Sequence, residues 1–285
     1  MGIRSGTLEI VAHLRRPILL FGAGGRLGGA VGLAAARRGA AVTAVPWTQA
    51  DAAITLSDDA DVVFTAGLID PCVSHAALMA ANCEFPMRLI KRMAAAPGRR
   101  FLTIGSVLET SARLSGDNPY LASKAALWAR IQVLAARRQG RLAHLRLHTL
   151  YGGLPAPHSF LGQMLASIGA KRPFPMSAGS QLREYSHVDD VADSILALLG
   201  RKWSERVDVE LNTGEPFMLR ELASKVFAAF GCADLLRVDA LATPKGENVD
   251  MPFPRSPDWL LGHPRDPVQG IISWFKEQLA RQHGG

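Results

Sequence analysis

Residues 18–38, ILLFGAGGRLGGAVGLAAARR, run from four apolar residues into a glycine cluster and then into a small-residue helical pattern. No other stretch constrains the fold as much. Ile18 to Phe21 reads as a buried strand and Leu27 to Arg38 as a helix. Between them, Gly22, Gly25 and Gly28 stand at GxxGxxG spacing. Residues without a Cβ let this turn tighten and let the helix amino terminus face a pyrophosphate. Arg26, beside Leu27 inside the loop, either adds charge against phosphate or faces solvent. Glycine turns are common, so the motif gains its weight from standing at a first strand-to-helix turn.

The pattern continues along the chain. Ala41–Val45, Asp61–Thr65, Phe101–Ile104 and Leu142–Leu147 read as further strands, and Tyr120–Arg138 as a helix. Another helix is expected around Asn82–Ala96, with Pro86 in its first turn or kinking it. Residues 46–60 are too few for a full helix and strand, so the sheet is trimmed there. Strands alternating with helices at this spacing predict a Rossmann-like α/β fold, a doubly wound parallel sheet. After Tyr151 the texture changes to proline- and glycine-rich loops around one helix. A helix at Asp189–Leu199, a strand at Val207–Leu211 and a helix at Leu219–Phe230 follow. The expected division is a dinucleotide-binding domain over 17–152, with a return segment near 184–212. Residues 153–183 and 213–285 then make a small substrate lobe, whose last fifty residues read only as a loop-rich cap.

Composition narrows the partners. The net charge of +7 comes from scattered basic pairs such as Arg37–Arg38, Arg99–Arg100 and Arg137–Arg138. Most sit at predicted helix ends, where cations suit the dipole and water. No basic block with interleaved aromatics appears, which argues against nucleic acid. A small polyanion suits the charge equally well. No apolar run reaches the ~18 residues of a membrane helix, and the amino terminus has no signal-peptide pattern. Cys72, Cys83 and Cys232 are an odd, scattered set, and the histidines lack ligand spacing, so no metal is expected. A reducing cytoplasm is the simplest setting.

One further pair carries chemistry. In NPYLASKAALWAR, residues 118–130, Tyr120 and Lys124 lie four apart on one face of a helix. Asn118 and Pro119 supply a cap and a first-turn proline. A cation beside a phenol favours the phenolate, which predicts a lowered Tyr120 pKa and a proton donor and acceptor usable near neutrality. The alternative is a tyrosine and a lysine on a solvated face.

GxxGxxG at the first turn, with YxxxK some ninety residues later, resembles the short-chain dehydrogenases/reductases. More narrowly, the chain is similar to the extended, nucleotide-sugar branch, the NAD-dependent epimerase/dehydratase family. DVVFTAG resembles the family's turn over the cofactor, bringing in Ala66 and Gly67, and FLTIGSVLE its serine-bearing strand. LRLHTLYGG, QLREYSHVDDVADSILALL and LNTGEPFMLRELA match later segments in order. The resemblance implies that Ser106, Tyr120 and Lys124 are catalytic. Gly22, Gly25, Arg26, Leu27, Gly28, Ala66, Gly67, Tyr120 and Lys124 would then hold NAD or NADP, and Ser106, Thr149 and Arg183 a nucleoside-diphosphate sugar. It places Asn82 in a capping or a catalytic role. It also implies a homodimer through the two long helices, with Val133, Leu134, Leu89 and Met93 at the seam.

Several departures shape the reading. Dehydratases of this family carry an acidic pair just after the catalytic residue, whereas here Val107 and Leu108 precede a single Glu109, read as a loop carboxylate. The second strand ends AVPWTQ, with no acid to bind an adenosine ribose, which favours NADPH slightly. The expected activity is reduction of a 4-keto sugar. The alternatives are a 4-epimerase with bound NAD, a dehydrogenase of a non-sugar alcohol, and a non-enzymatic nucleotide sensor.

Overall fold

A computed structural model describes residues 14, 16–47, 59–70, 73–93, 99–111, 116, 118–136, 141–201, 207–243 and 264–283. Six parallel strands form the central sheet: β1 (Ile18–Phe21), β2 (Val42–Val45), β3 (Asp61–Phe64), β4 (Arg100–Ser106), β5 (Arg141–Leu147) and β10 (Val207–Leu211). Their spatial order is β2-β1-β3-β4-β5-β10, so the sequence of strands reverses between β1 and β3. A crevice opens at the carboxyl ends of strands at such a switch point, and ligands bind there. β1 and β3 are buried throughout, as a strand covered on both faces requires.

Each face of the sheet has its own helices. On one side lie α1 (Arg26–Arg37) and α5 (Val188–Gly200), which pack against each other. The small residues Ala30, Ala34 and Ala35 of α1 allow that approach, and Val191, Ile195 and Leu198 fill the space from α5. On the other side lie α2 (residues 75–93) and α3 (Pro119–Ala136). Leu127 and Ile131 of α3 meet Phe64, Phe101, Leu89 and Ile90 in that core. Tyr120, Lys124, Leu127 and Ile131 follow 4-3-4 spacing, so the functional pair continues a buried apolar stripe.

Beyond the sheet, β6 (Thr149–Tyr151) pairs with β9 (Tyr185–His187) and leads into a second core. That core gathers α4 (Phe160–Gly169), α6 (Leu219–Ala229) and α7 (Pro267–His283), with the short strands β7 (Phe174–Pro175), β8 (Leu182–Arg183), β11 (Phe217–Met218) and β12 (Leu236–Arg237) at its margins.

Several expectations change. The carboxyl-terminal stretch is not only loop. Residues 267–283 form α7, whose Ile271, Trp274 and Phe275 bury in the second core; Trp274 Nε1 also donates to Gly153 O at 2.8 Å. The helix expected from Asn82 begins earlier, capped by Ser74, and passes through a π turn at Ala80–Glu84. The Phe85 N–H donates back to Ala80 O there, and Pro86, which has no N–H to give, follows at once. Leu89 packs on the sheet and is no seam residue, while Val133 stays 53% exposed. The side chain of Met93 and the whole of Cys72 lie outside the described residues. Arg99 and Arg100 are buried, not solvated. Arg100 clasps Asp61 across the amino ends of β3 and β4 and donates to Arg201 O at 2.8 Å.

Candidate active site

The glycine turn folds as its spacing requires. Gly22 has φ +88°, and a Cβ there would come within 2.5 Å of Ala66 N. A Cβ at Gly28 would overlap Gly22 O. The backbones of β1, the α1 amino terminus and the loop after β3 thus meet at distances that side chains forbid. Gly25 caps α1 without a side-chain acceptor, leaving first-turn N–H groups for an anion. A pocket of about 300 Å³ opens beside this turn, lined by Gly22, Ala23, Gly24, Pro46, Trp47 and Ala66. Its chemistry suits a dinucleotide, with a backbone cradle for phosphates and apolar walls for a base. Among the described residues no carboxylate stands at the end of β2, where Trp47 is 72% exposed. The Arg26 guanidinium donates to Leu150 O on β6 at 3.4 Å.

Asn82 ties the loop after β3 to α3. Its side chain accepts from Leu68 N at 2.8 Å and donates to Leu68 O at 2.9 Å and to Ser123 Oγ at 3.0 Å. It is buried within the π turn and caps no helix. A Cβ on Gly67 would lie 2.9 Å from Asn82 Oδ1 and 3.6 Å from Lys124 Nζ, so the expected cofactor loop does reach the lysine.

Asn118 caps α3 as its sequence predicts, accepting from Tyr120 N at 3.0 Å and Leu121 N at 3.2 Å. Lys124 is buried; its ammonium lies 5.9 Å from the Tyr120 ring centre and donates to Ile104 O at 3.0 Å. Ile104 is two residues before Ser106 at the end of β4, so one strand end carries both contacts. The electrostatics differ from expectation. Burial pushes the Tyr120 phenol up to about 12, and the charge of Glu109 adds to the rise. Burial also lowers Lys124 to about 8, against the opposing pull of Glu109. Desolvation thus outweighs the cation–phenol attraction that predicted a lowered tyrosine.

Ser106 lines a second pocket of about 180 Å³ with Leu108, His148, Thr149, Arg183 and Glu184. Thr149 is exposed and is placed by its N–H donating to Glu184 O at 3.1 Å. Arg183 donates to Leu182 O and to Gln181 Oε1, each at 2.8 Å, which fixes its guanidinium at the cleft wall. His187 caps α5 by accepting from Asp189 N at 3.1 Å. Among the described residues, no group of three or more potential metal ligands stands together.

Glu109 is no loop carboxylate. It is fully buried, accepts from Ser106 N at 3.1 Å and lies 2.7 Å from His144 Nε2. His144 interrupts the apolar run of β5, and that interruption was the one sequence sign of the pair.

A parallel sheet with a Cβ-free dinucleotide turn, and a Tyr–Lys pair on a helix flanking a serine-bearing strand end, define a short-chain dehydrogenase/reductase. The model of the NAD dependent epimerase/dehydratase family matches residues 18–213, and the chain belongs to that family. It is therefore an enzyme of the NAD-dependent, short-chain dehydrogenase/reductase type. A putative GDP-L-fucose synthase 2 from Oryza sativa subsp. japonica is 31% identical over 121 residues, 41% of this chain and 33% of that protein. The match thus spans about a third of that relative's length. The fold is shared with MoeE5 in complex with UDP-glucose and NAD: TM-score 0.79, 18% identity, covering 94% of this chain and 100% of that one. It is shared equally with UDP-glucose 4-epimerase from Thermotoga maritima with UDP-glucose, with TM-score 0.79, 14% identity and coverage of 94% and 99%. No described helix is long and apolar enough to cross a membrane.

Proposed function

We propose that the protein reduces a nucleoside-diphosphate 4-keto sugar with NAD(P)H. One observation carries this reading: Ser106, Thr149 and Arg183 line a single cleft at the carboxyl ends of the strands. The Arg183 fork recognises the diphosphate, which a neutral alcohol would not need. Thr149 adds a hydroxyl to the same dianion. The serine Oγ donates to the carbonyl oxygen at C4 and orients it where charge develops. Tyr120 then gives its phenolic proton to that oxygen, leaving a secondary alcohol. Lys124 offsets the resulting phenolate and holds the nicotinamide ribose. When bound, the nicotinamide supplies the hydride that reaches C4.

Two features favour reduction over epimerisation. The raised Tyr120 phenol carries its proton at neutral pH, the state a ketone reductase starts from. Among the described residues, the end of β2 offers Pro46 and Trp47 and no ribose-binding acid, which suits a cofactor that exchanges at each turnover. The test is incubation of the purified protein with NADPH and UDP- or dTDP-linked 4-keto sugars. Cofactor oxidation matched by formation of the 4-hydroxy sugar is expected. Stoichiometric NAD in the purified protein, or interconversion of C4 epimers without added cofactor, would make it an epimerase.

A further inference from the structure

Behind Ser106 lies a buried polar assembly that the proposed reaction does not use. Glu109 and His144 have no exposed side-chain surface, and Glu109 Oε1 lies 2.7 Å from His144 Nε2. The other carboxylate oxygen accepts the Ser106 N–H at 3.1 Å, while Ser106 Oγ accepts from Leu108 N at 3.3 Å. These two bonds close a capping box on the turn Val107–Thr110, so Glu109 and the serine fix each other. His144 Nδ1 lies 2.7 Å from Thr103 Oγ1 on β4, and the Trp128 ring of α3 stacks on the imidazole at 4.8 Å. The Arg146 guanidinium also lies over the Trp128 ring at 5.2 Å and pairs with Asp208 at 2.8 Å. Gly105 exists for this pair: a Cβ there would lie 2.6 Å from Glu109 Oε1 and overlap His144 Nε2.

A buried carboxylate is costly, and one with two fixed partners is held for its charge or for its shape. Charge is favoured by what else meets it. α3 packs on the turn that carries Glu109 and presents Tyr120 and Lys124. We propose that Glu109, held by Ser106 and His144, is a positioning residue that keeps Tyr120 in its proton-donating form and Lys124 charged. The inference rests on the reductase reading, because a fixed anion beside the phenol favours proton delivery to a ketone and opposes proton removal from an alcohol. Burial, the larger cause, raises Tyr120 and lowers Lys124, and on top of it the charge of Glu109 pushes both upward.

The test needs no substrate. The chain has three tyrosines, so phenolate absorbance with Tyr120→Phe as the blank isolates Tyr120. Glu109→Gln keeps the side-chain shape and removes the charge. The onset of Tyr120 phenolate, followed up to the pH at which circular dichroism reports unfolding, is expected to fall by at least about 0.5 pH unit. That is about threefold more phenolate at a given pH. His144→Phe, which keeps a ring against Trp128 and leaves the carboxylate in place, is the control for packing and is expected to leave the onset where it was. In ketone reduction by Glu109→Gln, the alkaline limb of kcat should move down with the onset while KM holds. An unchanged onset in folded Glu109→Gln overturns the inference, and so does an equal fall in His144→Phe or failure of both variants to fold, which would make the pair purely structural. A shifted onset in a protein that reduces no keto sugar would overturn the proposed reaction and leave the electrostatic role standing.

Discussion

The two halves of the crevice are built from different materials. The half proposed for the cofactor is made of main chain: Gly22, Gly25 and Gly28 remove side chains so that backbone groups can meet. The half proposed for the substrate is made of side chains: Ser106, His148, Thr149, Arg183 and Glu184 line the cleft from β4, β6, β8 and their flanks. A backbone-built site has almost no tolerance, because the atoms that would have to yield are held in the sheet. A side-chain-built site can lose one group and keep the rest. The cofactor half therefore fails outright, whereas the substrate half degrades by steps.

The sharpest way to break that comparison is Gly28→Ala. The added methyl would overlap Gly22 O and approach Gly22 C at 2.6 Å, both main-chain atoms. NADH binding, read by fluorescence titration, is expected to weaken by at least ~100-fold, the scale of a 1 Å misplacement. Retained binding would mean that the turn can open.

Lys124 stands between the halves and costs stability. Its ordinary value of 10.5 falls to about 8 in the fold because it is buried. Between those values the unfolded chain holds more protons than the folded one, so stability rises as pH climbs from about 8 to about 10.5. The shift corresponds to about 3 kcal/mol lost at pH 7. Lys124→Met is expected to raise the melting temperature at pH 7 and to flatten that alkaline rise, while turnover collapses. An unchanged pH profile of stability would show that the ammonium is solvated.

Tyr120→Phe removes only the proposed proton donor. Turnover is expected to fall by at least ~10²-fold with NADH affinity unchanged. Near-normal turnover would remove Tyr120 from the chemistry. Arg183→Ala, wholly within the side-chain half, is expected to raise KM for the nucleotide sugar by roughly tenfold, consistent with a charged hydrogen bond, and to leave kcat nearly intact. A fall in kcat with KM unchanged would place the guanidinium nearer the reacting carbon than the diphosphate.

The same contrast explains what the sequence disclosed. A backbone-built site advertises itself, because only glycine satisfies it: the GxxGxxG turn and its strand and helix were legible. So was the α3 start at Asn118–Pro119, since capping is local. What escaped depends on contacts distant in sequence. Glu109 finds His144 thirty-five residues on and Arg100 finds Asp61 thirty-nine residues back, and neither partner is marked by spacing. Arg100 reads as a solvated charge until Asp61 lies beside it. The Tyr120 error has the same origin: Lys124 is visible four residues away, whereas burial is visible only in the fold. The π turn at Ala80–Glu84 had a partial sign in Pro86, and α7 was hidden behind the loop-like stretch that precedes it.

The smallest expected effect concerns the boundary of the cofactor half, where backbone gives way to side chains at the end of β2. Pro46 and Trp47 occupy the place at which an acid would bind the ribose hydroxyls and repel a 2′-phosphate. Without that acid NADH loses a contact, and NADPH loses a reason to be rejected. No arginine among the described lining residues gains the phosphate, so the preference is modest. A lower apparent KM for NADPH than for NADH, by a few fold, is expected. Trp47→Asp places a carboxylate at the pocket wall and is expected to reverse the order, chiefly by raising KM for NADPH. Because the change adds a side chain where side chains already form the wall, the fold and the glycine turn should be untouched. If Trp47→Asp weakens both cofactors equally, the indole is itself a binding surface, and the side-chain half of the site begins earlier in the chain than the glycine turn suggests.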